Sequence, residues 1–141
     1  MKSAKILAIF LSLFLGMSNI IYAQDTFSAI SNANKTLKKG DYTYKIDYVD
    51  YNFILKVYNK NNKLVISLPK VYYALAGDKG FYYSTNDYNT SNTDIIYTNL
   101  TDNSSKVLYS KKSNDSGFLN AVKDDYLYFQ ISEGEVAEAT I

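Results

Sequence analysis

The chain contains no cysteine, histidine, tryptophan or arginine, and its one proline is Pro69. Without cysteine there is no disulfide framework and no lipid-linked cysteine, so stability has to come from packing. Without histidine as well, Ser-His-Asp and Cys-His nucleophiles are excluded, together with the usual zinc sites. What remains is carboxylate, tyrosine and lysine chemistry, and paired carboxylates acting on a glycosidic bond would be its natural use. No cofactor and no metal is implied. All 15 basic residues are lysine, and they face 14 acids for a formal charge of +1. That balance invites neither nucleic acid nor an acidic membrane as a partner. The missing arginine, beside abundant Asn, Ile and Tyr, reflects an AT-rich coding sequence before it reflects chemistry.

The first 23 residues read as a secretory leader. Lys2 and Lys5 precede an apolar run from Ile6 to Leu15, and small Ala23 closes Ile21-Tyr22-Ala23 ahead of Gln24. Ser18 and Asn19 interrupt the run well short of the roughly 20 apolar residues a membrane span needs. The expectation is a secreted, extracellular or cell-envelope protein with no stable span after cleavage. The 141 residues leave room for one modest domain.

Fifteen tyrosines and seven phenylalanines fall in short runs separated by Asn, Asp, Ser and Gly, the pattern of half-buried strands joined by turns. Residues 24–39 are polar and compatible with a linker, a short helix or an irregular first strand. From Gly40 on, alternation sets in: Tyr42, Tyr44, Ile46 and Tyr48 share one parity and so one face of a pleated ribbon. Phe53 to Tyr58 follows. Asn59 to Asn62 breaks the pattern, Leu64, Ile66 and Leu68 resume it, and Pro69 ends it. Val71 to Ala76 is nearly all apolar, fit for a strand covered on both faces. A second round has Phe81 to Ser84, a loop from Asn86 to Asp94, Ile95 to Asn99, Lys106 to Tyr109, and Gly117 to Val122. Antiparallel ribbons with almost no helix are expected over 40–141, with turns near Asn61, Asp78, Asn103 and Asp124.

The words Asp41-Tyr42-Thr43-Tyr44, Gly80-Phe81-Tyr82-Tyr83 and Asp125-Tyr126-Leu127-Tyr128 recur 39 and 45 residues apart, a period suited to β-propeller blades. Tyr44, Tyr83 and Tyr128 are thereby expected at equivalent sites between neighbouring sheets. This repeat resembles the propeller repeats of secreted bacterial proteins of unknown function, of TolB-like or LDL-receptor-like type, although the Trp common in such blades is missing. The resemblance implies an all-β meander of about two and a half blades and supplies no catalytic residues. It also implies an incomplete ring, because the third unit stops partway through.

In such meanders the loops after the second and fourth strands emerge at one end, and loops carry function. Here they gather Asp47, Tyr48, Asp50, Tyr51, Asp87, Tyr88, Asp94, Glu133 and Glu135 as candidate ligand-binding residues, with Lys70, Lys111 and Lys112 in the second set. The Asn86–Asp94 loop offers oxygen ligands at alternate positions, but it lacks the central Gly and closing Glu of a calcium loop and reads as solvated. Asp124-Asp125 reads as turn chemistry. The function expected is a secreted, non-catalytic binding or protein-interaction module whose partner is a glycan, a peptide or an envelope protein. The alternative is the amino-terminal part of a secreted carbohydrate-active enzyme using loop carboxylates.

Overall fold

Twelve strands and no helix make up the described part of the chain, which in the computed structural model is residues 26–31, 35–87, 89, 91–113, 117–123, 126–132 and 135–140. The strands form three antiparallel sheets, none of them closed. The first sheet is a meander of β2 (Thr36–Lys39), β3 (Tyr42–Val49), β4 (Asn52–Tyr58) and β5 (Leu64–Pro69). The middle sheet continues with β6 (Tyr73–Ala76), β7 (Gly80–Asp87), β8 (Asn92–Asn99) and β9 (Ser105–Lys112). The third consists of β10 (Phe118–Lys123), β11 (Tyr126–Ser132) and β12 (Glu135–Thr140). The polar stretch after residue 24 supplies two strands of different allegiance. β2 opens the first meander, whereas β1 (Ser28–Ser31) pairs with β6 and gives the middle sheet a fifth strand. Turns at Asn62 and Asn103, both with positive φ, match the positions read from the sequence.

The sheets stack face to face with the middle one between the other two. Tyr44, Ile46, Leu55 and Val57 of the first sheet pack with Ala74, Ala76, Phe81 and Tyr83 of the middle sheet. On its opposite side the middle sheet presents Leu75, Tyr82 and Ile95 to Leu119, Leu127, Phe129 and Ile131 of the third. Each Val, Leu, Ile or Phe among them, taken from water, contributes about 1.5–3 kcal/mol. Being covered on both faces, β7 buries Phe81, Tyr82 and Tyr83 in succession, and period two vanishes there.

That double burial corrects the expected repeat register. Tyr44 points from the first sheet toward the middle one, while Tyr83 points back toward the first, and both belong to the same core. Tyr128 lies between Leu127 and Phe129, which face the middle sheet, so it points outward. The three therefore do not occupy equivalent sites. The hairpin turns set the structural correspondence between the sheets. Lys39 pairs with Tyr42 and Lys123 with Tyr126, each pair enclosing two residues. In the middle sheet the Gly77 N–H donates to the Gly80 carbonyl at 2.9 Å, so the two-residue turn is Asp78-Lys79. Gly80 thus stands where Tyr42 and Tyr126 stand, and Tyr82, not Tyr83, matches Tyr44 and Tyr128. The reason for a glycine is steric, since a Cβ at position 80 would collide with the Tyr97 hydroxyl and the Thr98 carbonyl. Asp124 and Asp125 themselves lie outside the described residues.

The layers are tied together by hydrogen bonds as well as by apolar contact. The buried Tyr44 hydroxyl donates to the Gly77 carbonyl at 2.8 Å, and its ring meets Phe81 edge-on at 5.7 Å between centroids. Between the middle and third sheets, the Ser84 hydroxyl donates to the Gly117 carbonyl at 2.6 Å. Nearby, the Asn86 amide donates to the Thr93 hydroxyl at 2.9 Å and the Ser113 carbonyl at 3.1 Å. These bonds fix the crossover from β9 to β10 against the middle sheet.

Candidate functional site

The β3–β4 turn and the β5–β6 crossover meet at one end of the first sheet. Val49 pairs with Asn52, which leaves Asp50 and Tyr51 as a two-residue hairpin turn with φ of 48° and 63°. Both values lie in the left-handed region used by type I′ turns, where Asn and Gly are favoured. A tyrosine held there costs about 1–2 kcal/mol of backbone energy. The Asn52 amide steadies the turn by donating to the Asp50 carbonyl at 3.0 Å. Tyr51 recovers nothing by burial, since it is 91% exposed.

Behind this tip stands a run of aromatic rings. Tyr48 and Phe53 are direct cross-strand partners, with centroids 4.8 Å apart. Phe53 in turn meets Tyr72, from the crossover, at 5.0 Å. Lys70, itself at φ 61°, donates its N–H to the Phe53 carbonyl at 2.7 Å and holds the crossover in place. Tyr48 and Tyr72 remain 57% and 40% exposed. A corresponding approach occurs in the middle sheet, where the Ser113 N–H donates to the Ser91 carbonyl at 2.7 Å. In both sheets, then, the loop after the second strand of the meander adjoins the segment after the fourth.

The candidate acids are distributed differently from the tyrosines. Asp47 sits within β3 on the face turned away from the middle sheet, bridged to Lys45 and to Lys56 at 2.9 Å each. Hydrogen bonds from Lys56 and Lys45 hold its carboxyl below the ordinary 3.8, and Asp47 in turn raises Lys56 above 10.5. Asp94 lies within β8 and accepts a hydrogen bond from the Ser110 hydroxyl at 2.5 Å. Asp50 is a turn residue beside Tyr51. Asp87 ends β7 and Glu135 opens β12, while Tyr88 and Glu133 lie outside the described residues. Among the described residues no three His, Cys, Asp or Glu side chains gather in a way that would hold a metal ion.

The arrangement therefore puts Tyr48 in ring contact with Phe53 and, through it, with Tyr72, neither of them among the expected site residues, while Tyr51 occupies the turn at the same end. A signal for Phe53 was present, because a two-residue turn at Asp50-Tyr51 puts it opposite Tyr48. Tyr72 carried no such signal, since its position depends on the path of the crossover. Chemically the end offers exposed aromatic faces flanked by the carboxylate of Asp50 and the amide of Asn52. Compared with protein-family models, curated proteins and solved structures, the chain matches none.

Proposed function

We propose that the chain is a secreted, non-catalytic binding module built from propeller-type repeats, with its contact surface at the aromatic end formed by Tyr48, Tyr51, Phe53 and Tyr72. The observation that carries this reading is Tyr51, a bulky residue kept in a left-handed turn position while 91% exposed. Strain of this kind costs stability without a compensating contact inside the molecule, and such compromises cluster at ligand-contacting positions. Three successive meanders with short turns support the repeat reading. Tyrosine faces with adjacent carboxylate and amide groups suit a glycan, whose C–H faces stack on rings while its hydroxyls bond to polar side chains. The carboxyls with displaced titration among the described residues, Asp47 and Asp102, are both shifted downward, opposite to the shift that equips an acid to donate a proton at neutral pH.

A glycan array probed with the wild-type chain and with Tyr51→Ala and Tyr48→Ala tests the reading. The expected outcome is binding to a defined class of glycans that weakens at least about tenfold in each variant. Retained binding in both variants would overturn the assignment of the surface. Glycan hydrolysis abolished by Asp47→Ala would replace the binding module with an enzyme.

A further inference from the structure

At the end of the first sheet opposite the aromatic one, two hairpin turns rim a polar cleft of about 130 Å³. That is room for a group the size of about four water molecules. The β2–β3 turn, Gly40-Asp41, is held by its two-residue length and by Gly40 at φ 53°, where a Cβ would come within 3.2 Å of the Asp78 side chain in the neighbouring turn. The β4–β5 turn is locked by Asn59. Its N–H donates to the Lys63 carbonyl and its carbonyl accepts from the Asn62 N–H, both at 2.9 Å. Its side-chain oxygen accepts from the Asn61 N–H at 3.0 Å and the Lys63 N–H at 3.1 Å.

We propose that this cleft binds a compact oxyanion, the phosphate or carboxylate group of a small molecule or sugar. The donors decide the sign of the ligand. Two backbone N–H groups can be met only by the oxygen of the Asn59 amide, so the amide nitrogen of this cleft-lining residue remains to donate. Lys38 lines the cleft on the same sheet face as its cross-strand partner Thr43, and its ammonium group makes no hydrogen bond or ion pair among the described residues. Lys60 reaches Asp41 at 3.5 Å, a loose and mostly exposed pair that leaves further donors on the ammonium group. Two lysines and an amide nitrogen thus stand against the single carboxylate of Asp41. Because both turns are fixed by their own hydrogen bonds and contacts, little ordering cost falls on binding. The exposure of the lysines keeps the attraction modest and salt-dependent. The cleft shares no residue with the aromatic end and stands or falls separately from the glycan reading.

Amide NMR of the isotope-labelled chain at pH 7 and constant ionic strength, titrated with inorganic phosphate, glucuronate or glucose, tests the proposal. The expected result is a saturable shift of the Gly40, Asp41, Asn59 and Lys60 signals by phosphate or glucuronate, with a dissociation constant of about 1–10 mM, and none by glucose. Saturation by phosphate alone assigns a phosphate ligand, and saturation by glucuronate alone a carboxylate. Asn59→Asp keeps an oxygen for the two turn N–H groups but puts a second carboxylate oxygen in place of the amide donor. It should weaken binding at least about tenfold without lowering the unfolding temperature. Lys38→Gln, which alters no contact within the fold, should weaken binding at least about threefold. Failure of both anions to saturate by about 100 mM overturns the proposal. So does an equal response to glucose, or binding that persists undiminished in either variant.

Discussion

Among the described residues the first and third sheets are each covered on one side only, yet their open sides differ in what stands at their centre. Outward from β3 and β4 the first sheet presents Lys45, Asp47 and Lys56, joined in a cross-strand ion network. The third sheet presents Phe118, Tyr126 and Tyr128. The same rule, alternation of inward and outward positions, generates both. The first sheet sets an ion network at the centre of its outer face, with Ile54 and Tyr58 beside it, and the third sets aromatic rings there, with Lys123 and Glu138 at its edges.

The sharpest way to break this comparison is to remove one aromatic ring from a covered face and one from the open face. Phe81 is fully buried between the first two sheets, so Phe81→Ala is expected to cost about 3–5 kcal/mol, read as a lowered midpoint in denaturant unfolding. Phe118→Ala, at a position 64% exposed, should change stability by less than about 0.5 kcal/mol. Equal losses would mean that the third sheet is covered in a way the layer arrangement does not provide.

Gly80 sharpens the comparison at the turns. It takes the place of Tyr42 in the first sheet and Tyr126 in the third because the Tyr97 ring and the Thr98 carbonyl occupy the space a side chain needs. Gly80→Ala is expected to destabilise by about 1–3 kcal/mol through overpacking, again read from the unfolding midpoint. The alanine substitution of Tyr126 should have a smaller effect, since that ring projects from the open face.

The same glycine shows which parts of the fold were legible in the sequence. In the first sheet, one-sided burial writes itself as Tyr42, Tyr44, Ile46 and Tyr48, and the ribbon and its face could be read directly. In the middle sheet, cover on both sides makes Phe81, Tyr82 and Tyr83 all apolar, so parity no longer distinguishes the faces. Aligning aromatic words across that segment slipped the register by one residue, and only the turn hydrogen bond from Gly77 to Gly80 restores it. The short Ser28–Ser31 segment, with Ile30 its one large apolar residue, gave no indication that β1 would pair with β6, a contact between segments more than 40 residues apart. At the candidate site Tyr48 and Tyr51 were visible as aromatics near a turn. Asp47 and Asp94, expected in loops, lie inside strands because β3 and β8 extend further than their apolar cores suggest.

Tyr51 tests whether the aromatic end differs from the aromatic face of the third sheet, where no such backbone compromise is present at Phe118 or Tyr126. Tyr51→Gly relieves the left-handed strain and should raise stability by about 1 kcal/mol, seen as a higher unfolding temperature. In the binding reading the same change weakens ligand capture. A loss of stability on this substitution would remove the argument from strain.

The smallest effect is expected on the charged face, at Asp47. Its carboxyl is held below 3.8 in the folded chain by Lys56 and Lys45, so the contribution it makes to stability is fully present above the unfolded value and is lost as pH falls through the folded one. The raised Lys56 behaves in the opposite sense: its contribution is present below 10.5 and is lost as pH rises through its folded value. The network therefore acts between those limits and fades outside them. Both partners are solvent-accessible, so the effect is small and screened by salt. Asp47→Asn should lower the unfolding temperature slightly at pH 7, with the gap to wild type narrowing in high salt and closing as the buffer is taken well below pH 3.8. A gap that stayed constant across that acid range would mean that Asp47 acts through packing and not through its charge, and the first sheet's open side would then differ less from the third's than its ion pairs imply.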